Sequence, residues 1–233
     1  MELKRLPMIN PEDTCVWLDL EGVLMEKHIT FYLLSYNPLL TIKSILKSFV
    51  KAFSNKIRKR ETCFFEELIK ECKKMYESEL KPHELYKLGR KISEAQSSTH
   101  KTTVMNLLKI LKEDGYDVYL LTKAEKTIAQ GFMDSFPEEL RPEKEKIITT
   151  QEKDKFVEDI KSKTRKKVIG IGDTKYDEEA LRKSDVACVV SSSIYKLFPP
   201  RIEKGYKFKN LAEVKSFFDA MYFQKQFEMI LKI

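Results

Sequence analysis

The sequence predicts a doubly wound, mainly parallel α/β sheet with an all-helical cap inserted after the first strand, and three observations lead there. Five short apolar runs, Cys15–Leu20, Val118–Thr122, Lys146–Thr149, Lys167–Gly172 and Val186–Val190, are rich in Val, Ile and Leu and bounded by charged or turn residues, as buried strands are. Segments of helical periodicity separate the later runs, which is the alternation of parallel strands with crossover helices. Between about Lys27 and His100 that alternation stops and only helical periodicity remains. The expected organisation is an α/β core of residues 1–26 and 101–233, interrupted by a helical cap of residues 27–100.

Within the insertion, Ile42, Ile45, Leu46, Phe49, Val50, Phe53 and Ile57 fall at the i, i+3, i+4, i+7 spacing of an apolar helix face, with lysines on the other faces. A second stripe takes Phe64, Phe65, Leu68, Ile69, Cys72 and Tyr76, and a weaker helical segment runs from His83 to Ile92 after Pro82. Val104–Glu113, Thr127–Phe136 and Lys155–Lys163 then read as helices between strands, and Asn210–Ile233 as a last helix closing the sheet. Right-handed crossovers place the loops after the strands along one edge, where such sheets bind ligands.

The chain has 233 residues, 42% hydrophobic and 34% charged, enough for a core domain with an insertion and typical of a folded protein. No apolar run is long enough to span a bilayer, and Met1–Glu12 holds no signal-like apolar stretch, so a cytoplasmic protein is expected. Cys15, Cys63, Cys72 and Cys188 are scattered, with no CxxC pair and no histidines at zinc-ligand spacing, which points away from disulfides and zinc. His28, His83 and His100 form no motif with one another and read as incidental. The net charge of +7 admits nucleic acid, an acidic membrane surface or a phosphorylated small substrate. Nucleic acid is disfavoured, because the lysines are spread through helical segments and no arginine–aromatic platform is present to stack bases.

Three strands end in polar residues of a particular kind. Asp19 opens Asp19-Leu20-Glu21-Gly22-Val23, Thr122 follows Tyr119-Leu120-Leu121, and Asp173 lies in Gly172-Asp173-Thr174-Lys175-Tyr176-Asp177. An acid beside a core is costly unless paired, and two acids at one sheet edge repel unless a cation lies between them. A hard divalent ion with oxygen ligands relieves that repulsion, and magnesium is the usual one. Phosphoryl transfer needs such parts: a carboxylate nucleophile, a metal to neutralise phosphate charge, and hydroxyl and ammonium donors for the equatorial oxygens. A second carboxyl group two residues from the nucleophile can protonate the leaving oxygen and then activate water.

This set resembles the haloacid dehalogenase superfamily, whose DxDx[TV] motif, strand-end Ser or Thr, Lys and GDxxxD-like motif follow in that order on a Rossmann-like core. The resemblance covers about Cys15 to Val190, with the insertion where the family carries its first cap. It implies a magnesium-dependent phosphomonoester hydrolase, or a phosphotransferase, acting on a small phosphorylated metabolite through a phospho-aspartate. By the same resemblance Asp19 is nucleophile and magnesium ligand, and Glu21 is the acid/base that also lends its backbone carbonyl to the metal. Thr122 hydrogen-bonds the phosphoryl group, Asp173 ligates the metal, and Asp177 supports it directly or through water. The motif lysine is Lys153, in Lys153-Asp154-Lys155-Phe156-Val157, with Lys155 as its competitor. Glu21 stands where most phosphatases of the family carry Asp, although a phosphoserine phosphatase-like branch also shows Asp-Leu-Glu-Gly. Two of these residues have simpler uses as well: Thr122 with Glu125 spells a capping box, and Asp177 precedes a helix over Glu178–Arg182.

Lys43, Lys47, Lys51, Lys56, Arg58, Lys59 and Arg60 lie along the insertion. They read as the solvated face of a packed cap helix, as a lid that attracts anionic substrate, or as a basic amphipathic surface for an acidic membrane. Together with Glu21, the last reading carries an alternative function: a catalytically weak binding or regulatory protein whose cap contacts acidic membrane or another polyanion. Peripheral membrane contact is not favoured. Substrate contacts are expected from the cap side, where Glu26 is the candidate nearest the mouth.

Overall fold

The computed structural model describes residues 7, 9–36, 38, 39, 42, 43, 45–48, 50, 64–191 and 199–230. Six strands, β1 (Thr14–Leu18), β2 (Asp117–Thr122), β3 (Ile147–Thr149), β4 (Lys167–Gly172), β5 (Val186–Val190) and β6 (Tyr206–Phe208), form one sheet among the described residues. Their order is β3-β2-β1-β4-β5-β6, and every neighbouring pair is parallel. The chain runs outward from β1 to β3 and then returns to the other side of β1. The order therefore reverses between β1 and β4, and the crevice beyond their carboxyl ends is where an open α/β sheet binds ligands. Strand β6 was not expected: three residues with a central lysine, on the sheet edge, carry too little period-two pattern to be read as a strand.

Among the described residues, helices form at α1 (Ile29–Tyr36), α2 (Phe64–Glu79), α3 (Pro82–Glu94), α4 (Ser98–Glu113), α5 (Lys126–Met133), α6 (Lys153–Thr164), α7 (Glu178–Lys183) and α8 (Leu211–Ile230). Alternation of side chains along the strands divides them between two apolar clusters. Val16, Leu18, Leu120, Ile169 and Ile171 pack with residues of α1 to α5 and α8. Cys15, Trp17, Leu121, Val168 and Val189 pack with Val157, Ile160 and Leu181 of α6 and α7. Trp17 lies against Gly170, where a Cβ would come within 2.6 Å of the indole ring, and its Nε1 donates to Ser184 Oγ at 3.0 Å.

The inserted helices share the core of the sheet. Ile29, Leu33, Cys72, Tyr76, Leu85, Leu88 and Ile92 belong to the same apolar cluster as Leu107, Ile128 and Phe132. Helices α3 and α5 cross at two glycines. A Cβ on Gly89 would stand 2.2 Å from Ile128 O, and one on Gly131 would stand 2.1 Å from Tyr86 O. Helix α4 begins at Ser98, capped by Ser97, so the expected domain boundary at residue 100 falls in its first turn.

The first stripe of the insertion behaves differently from expectation. Ile42, Leu46 and Val50 are exposed, as is Leu39, whereas Ser48 is buried and Ile45 half-buried. The inward face thus runs through residues 45 and 48. Phe49, Phe53, Ile57, Cys63 and the basic residues Lys51, Lys56, Arg58, Lys59 and Arg60 lie outside the described residues. Among the described residues, no helix is long and apolar enough to cross a membrane.

Candidate active site

Asp19 follows β1 directly, and its backbone N–H still bonds Ile171 O of β4 at 2.9 Å. The carboxylate is therefore fixed at the sheet's reversal point. Gly22, at φ +87°, turns the chain away, and Leu20 and Gly22 close the turn through Met25. The glycine is required twice. Its φ lies in the left-handed region, and a Cβ would meet Asp173 Oδ2 at 1.9 Å. Asp173 follows β4 and packs over that bare backbone. Asp177 is one turn further, against Gly172, where a Cβ would come within 2.7 Å of the Asp177 Cβ.

Asp19, Asp173 and Asp177 are all buried, and each offers a carboxylate oxygen within 4.8 Å of the others. Lys153, at the first residue of α6 and only 3% exposed, donates to Asp19 Oδ1 at 2.6 Å and to Asp177 Oδ1 at 2.7 Å. Lys155, the competitor, is on the surface and pairs with Glu152. With all three carboxylates ionised, the cluster would carry two negative charges beyond the one that Lys153 neutralises. The two carboxylates that share Lys153 respond differently. Burial and the Asp177 charge push Asp19 up to about 8, against which Lys153 acts. Burial also opposes ionisation of Asp177, but Lys153 and the backbone amides of Asp173 and Thr174 outweigh it and hold that carboxyl below its ordinary range. Asp19 has one such amide, Leu20 N–H at 2.8 Å, and it too falls on Oδ1. For Lys153, burial disfavours the ammonium, and the two carboxylates override it and keep it charged.

Glu21 points toward the inserted helices. Its Oε1 accepts from Ile29 N–H at 3.1 Å and lies 3.2 Å from His28 Nε2. The Thr30 N–H donates to His28 Nδ1 at 3.2 Å, so in the neutral imidazole the proton sits on Nε2 and is directed at Glu21. The protein thus supplies two donors to Oε1, which assigns any proton of the acid form to Oε2. His28, read as incidental from the sequence, lines the same cavity as Glu21. Its position immediately before a helix that opens on Ile29 was the available signal.

Thr122 is fully buried at the end of β2, and its Oγ1 accepts from Ala124 N–H at 3.0 Å. The capping box with Glu125 does not form; Glu125 itself caps α5, accepting from Thr127 and Ile128 N–H. Asp177 likewise makes no side-chain cap bond to α7. Glu26 is the candidate that stands apart. Its carboxylate accepts from Ser97 N–H and its own N–H bonds Gln96 Oε1, which ties the loop after β1 to the start of α4, and it does not line the cavity.

A cavity of about 220 Å³ opens over Asp19, Glu21, Lys153 and Asp177. Ile69, Lys70, Lys73 and Tyr76 of α2 and His28 line its inserted side, and Lys123, Gln151, Thr174 and Tyr176 come from loops after the strands. Lys73 donates to Lys123 O and so joins α2 to the loop after β2. A larger cavity, about 670 Å³, lies at the opposite end of the strands beside Thr14 and Lys167, and holds none of the three clustered acids.

The sequence pattern of the haloacid dehalogenase-like hydrolases matches residues 14–185, most of the chain and every residue of the acidic cluster. The chain belongs to that family. This haloacid dehalogenase-like hydrolase is similar in structure to a phosphoserine phosphatase from T. onnurineus, crystallised in complex with NDSB-201. That match has a TM-score of 0.53 and 15% identity, over 91% of this chain and 98% of that one. Two dehalogenase structures, one with an intermediate complex, match at 11% identity with TM-scores of 0.45 and 0.44, over 88% and 86% of this chain and 96% and 94% of theirs. No curated protein matches the sequence. At such identities the structural likeness speaks to the fold, and the chemistry has to come from the site.

Proposed function

We propose that this haloacid dehalogenase-like hydrolase is a magnesium-dependent phosphomonoesterase that works through a phospho-Asp19 intermediate on a small phosphorylated substrate. The observation that carries the reading is the meeting of Asp19, Asp173 and Asp177 at the reversal point of the sheet, with Lys153 bonded to the first and the last. Their donor set is all oxygen, and their surplus negative charge suits a hard divalent cation. Asp19, Asp173 and the Glu21 backbone carbonyl would hold it, with Asp177 in support. The metal when bound supplies positive charge against the phosphoryl oxygens.

The side chains divide the remaining work. The Asp19 carboxylate attacks phosphorus in line and forms the acyl phosphate as the ester P–O bond breaks. Glu21 gives the proton on Oε2 to the departing oxygen, then takes one from the water that cleaves the acyl phosphate. Lys153 keeps Asp19 oriented and offers its ammonium to the transferring oxygens, and the Thr122 hydroxyl donates to them. The inserted helices act as the cap over this chemistry. That the acids and Lys153 stand together favours a working enzyme over a non-catalytic polyanion-binding module.

Purified protein with magnesium is expected to hydrolyse p-nitrophenyl phosphate, and Asp19→Asn to reduce kcat to background. Activity undiminished in that variant would remove the assignment.

A further inference from the structure

The side chains lining the cavity divide unevenly by charge. Three acids line it, and each is engaged: Asp19 and Asp177 with Lys153, and Glu21 with His28 and Ile29 N–H. Cations beyond Lys153 are supplied from both sides, Lys70 and Lys73 by α2 and Lys123 by the loop after β2. Lys123 is half-buried, and among the described residues its ammonium meets no carboxylate; it lies 5.3 Å from the centre of the Tyr176 ring. Lys73 is tied to the backbone carbonyl of Lys123 and pairs at 3.6 Å with Glu77, an exposed residue of its own helix. Burial, and then the Lys153 charge, weaken the hold of Lys123 on its proton, and the charges of Asp177 and Asp19 offset this only in part.

We infer that the substrate is a small phosphate ester whose leaving group carries a second anionic group, a carboxylate or a further phosphate, received by Lys123 and Lys73. The inference rests on the phosphomonoesterase reading of the same site and adds to it the charge of the part that leaves. An anion between the two side chains gains charge-assisted hydrogen bonds. A leaving group bearing an ammonium meets like charge and, among the described lining residues, no uncommitted carboxylate, so it is rejected. The cavity, about 220 Å³, is below the usual range for drug-sized ligands and suits a leaving group of a few heavy atoms.

Three esters of similar size separate charge from shape: phosphoglycolate, n-propyl phosphate and phosphoethanolamine, whose leaving groups are anionic, neutral and cationic. With magnesium present, kcat/KM is expected to fall in that order, by about tenfold or more from first to last. Lys123→Gln and Lys73→Gln should each cut the preference for phosphoglycolate over propyl phosphate by about tenfold, the loss of one charge-assisted bond. The same three affinities are measured calorimetrically on Asp19→Asn, which reads recognition apart from turnover. Equal use of phosphoethanolamine and phosphoglycolate, or equal affinities for them, overturns the inference. So does a Lys123→Gln protein that loses the same factor on all three esters, since Lys123 would then serve the transferring phosphoryl group. Ranked affinities without turnover of any ester support the inference and overturn the phosphatase reading instead.

Discussion

Glu21 shows how one methylene is accommodated. Aspartate at this position has a shorter arm; glutamate brings its carboxyl group out to the inserted helices, where Ile29 N–H and His28 Nε2 both meet Oε1. Those two donors fix the rotamer and leave Oε2 for proton transfer, so the longer side chain remains directed. A general acid contributes most when the leaving group is a poor one, and the contribution is typically about 10²–10⁴-fold. Glu21→Gln keeps both bonds to Oε1 and removes the proton. Its kcat/KM, which reports the step that forms phospho-Asp19 and not the shared hydrolysis that follows, should fall about 10²-fold or more on n-propyl phosphate, whose alkoxide leaves badly unprotonated, and much less on p-nitrophenyl phosphate, whose phenolate leaves readily. Steady-state kinetics on the two esters decide it; equal losses on both would show that Glu21 does not protonate the leaving oxygen.

The elements depend on contacts that a sequence pattern conceals. Gly89 and Gly131 sit inside helices, where glycine is ordinarily a cost of about 1 kcal/mol, and nothing in the periodicity marks them. In the structure they let α3 and α5 approach backbone to backbone, which fastens the insertion to the core. Gly131→Ala puts a Cβ 2.1 Å from Tyr86 O, a main-chain atom that cannot rotate away. Overpacking of this kind costs about 1–3 kcal/mol, so thermal denaturation should show a loss of roughly 2–12 °C. An unchanged midpoint would mean that α3 shifts freely and that the crossing is not a fixed joint. The same contrast explains what could be read beforehand. Strands β1, β2, β4 and β5 are apolar runs buried on both faces, so composition alone reveals them. Asp19, Asp173 and Asp177 follow such runs, and glycines at positions 22 and 172 advertise the close approach of acid to backbone. Strand β6, the α3–α5 crossing and the engagement of Glu26 with Ser97 are settled by partners distant in sequence, which no local pattern encodes. His28 and Lys123 are single polar residues whose meaning comes only from what faces them.

At the scale of the whole molecule, the site works against the fold that holds it. Three buried carboxylates with one ammonium carry uncompensated charge, and the strain falls on Asp19, which burial and Asp177 push up to about 8 from an ordinary 3.8. Because its folded value lies above its unfolded one, the stability linked to Asp19 is fully present below about pH 4 and is lost as the pH rises through about 8. The metal-free protein should therefore melt at a lower temperature at pH 8 than at pH 5. Asp19→Asn removes the charge while Lys153 keeps Asp177, so the variant should lose much of this pH dependence and melt higher than the parent at pH 8. Magnesium favours the ionised carboxylates and acts in the opposite sense, stabilising the parent more at pH 8 than at pH 5. At about 100 times its Kd a ligand of the folded state alone adds about 2.7 kcal/mol, which for a chain of this size is roughly 5–10 °C. Asp173→Asn, lacking a carboxylate of the cluster, should forfeit most of that gain. Melting curves of the three proteins, each with EDTA and with magnesium at both pH values, test the balance. A parent and Asp19→Asn protein with parallel pH profiles, both indifferent to magnesium, would show that the acids are neutralised within the fold and that no cation is needed between them.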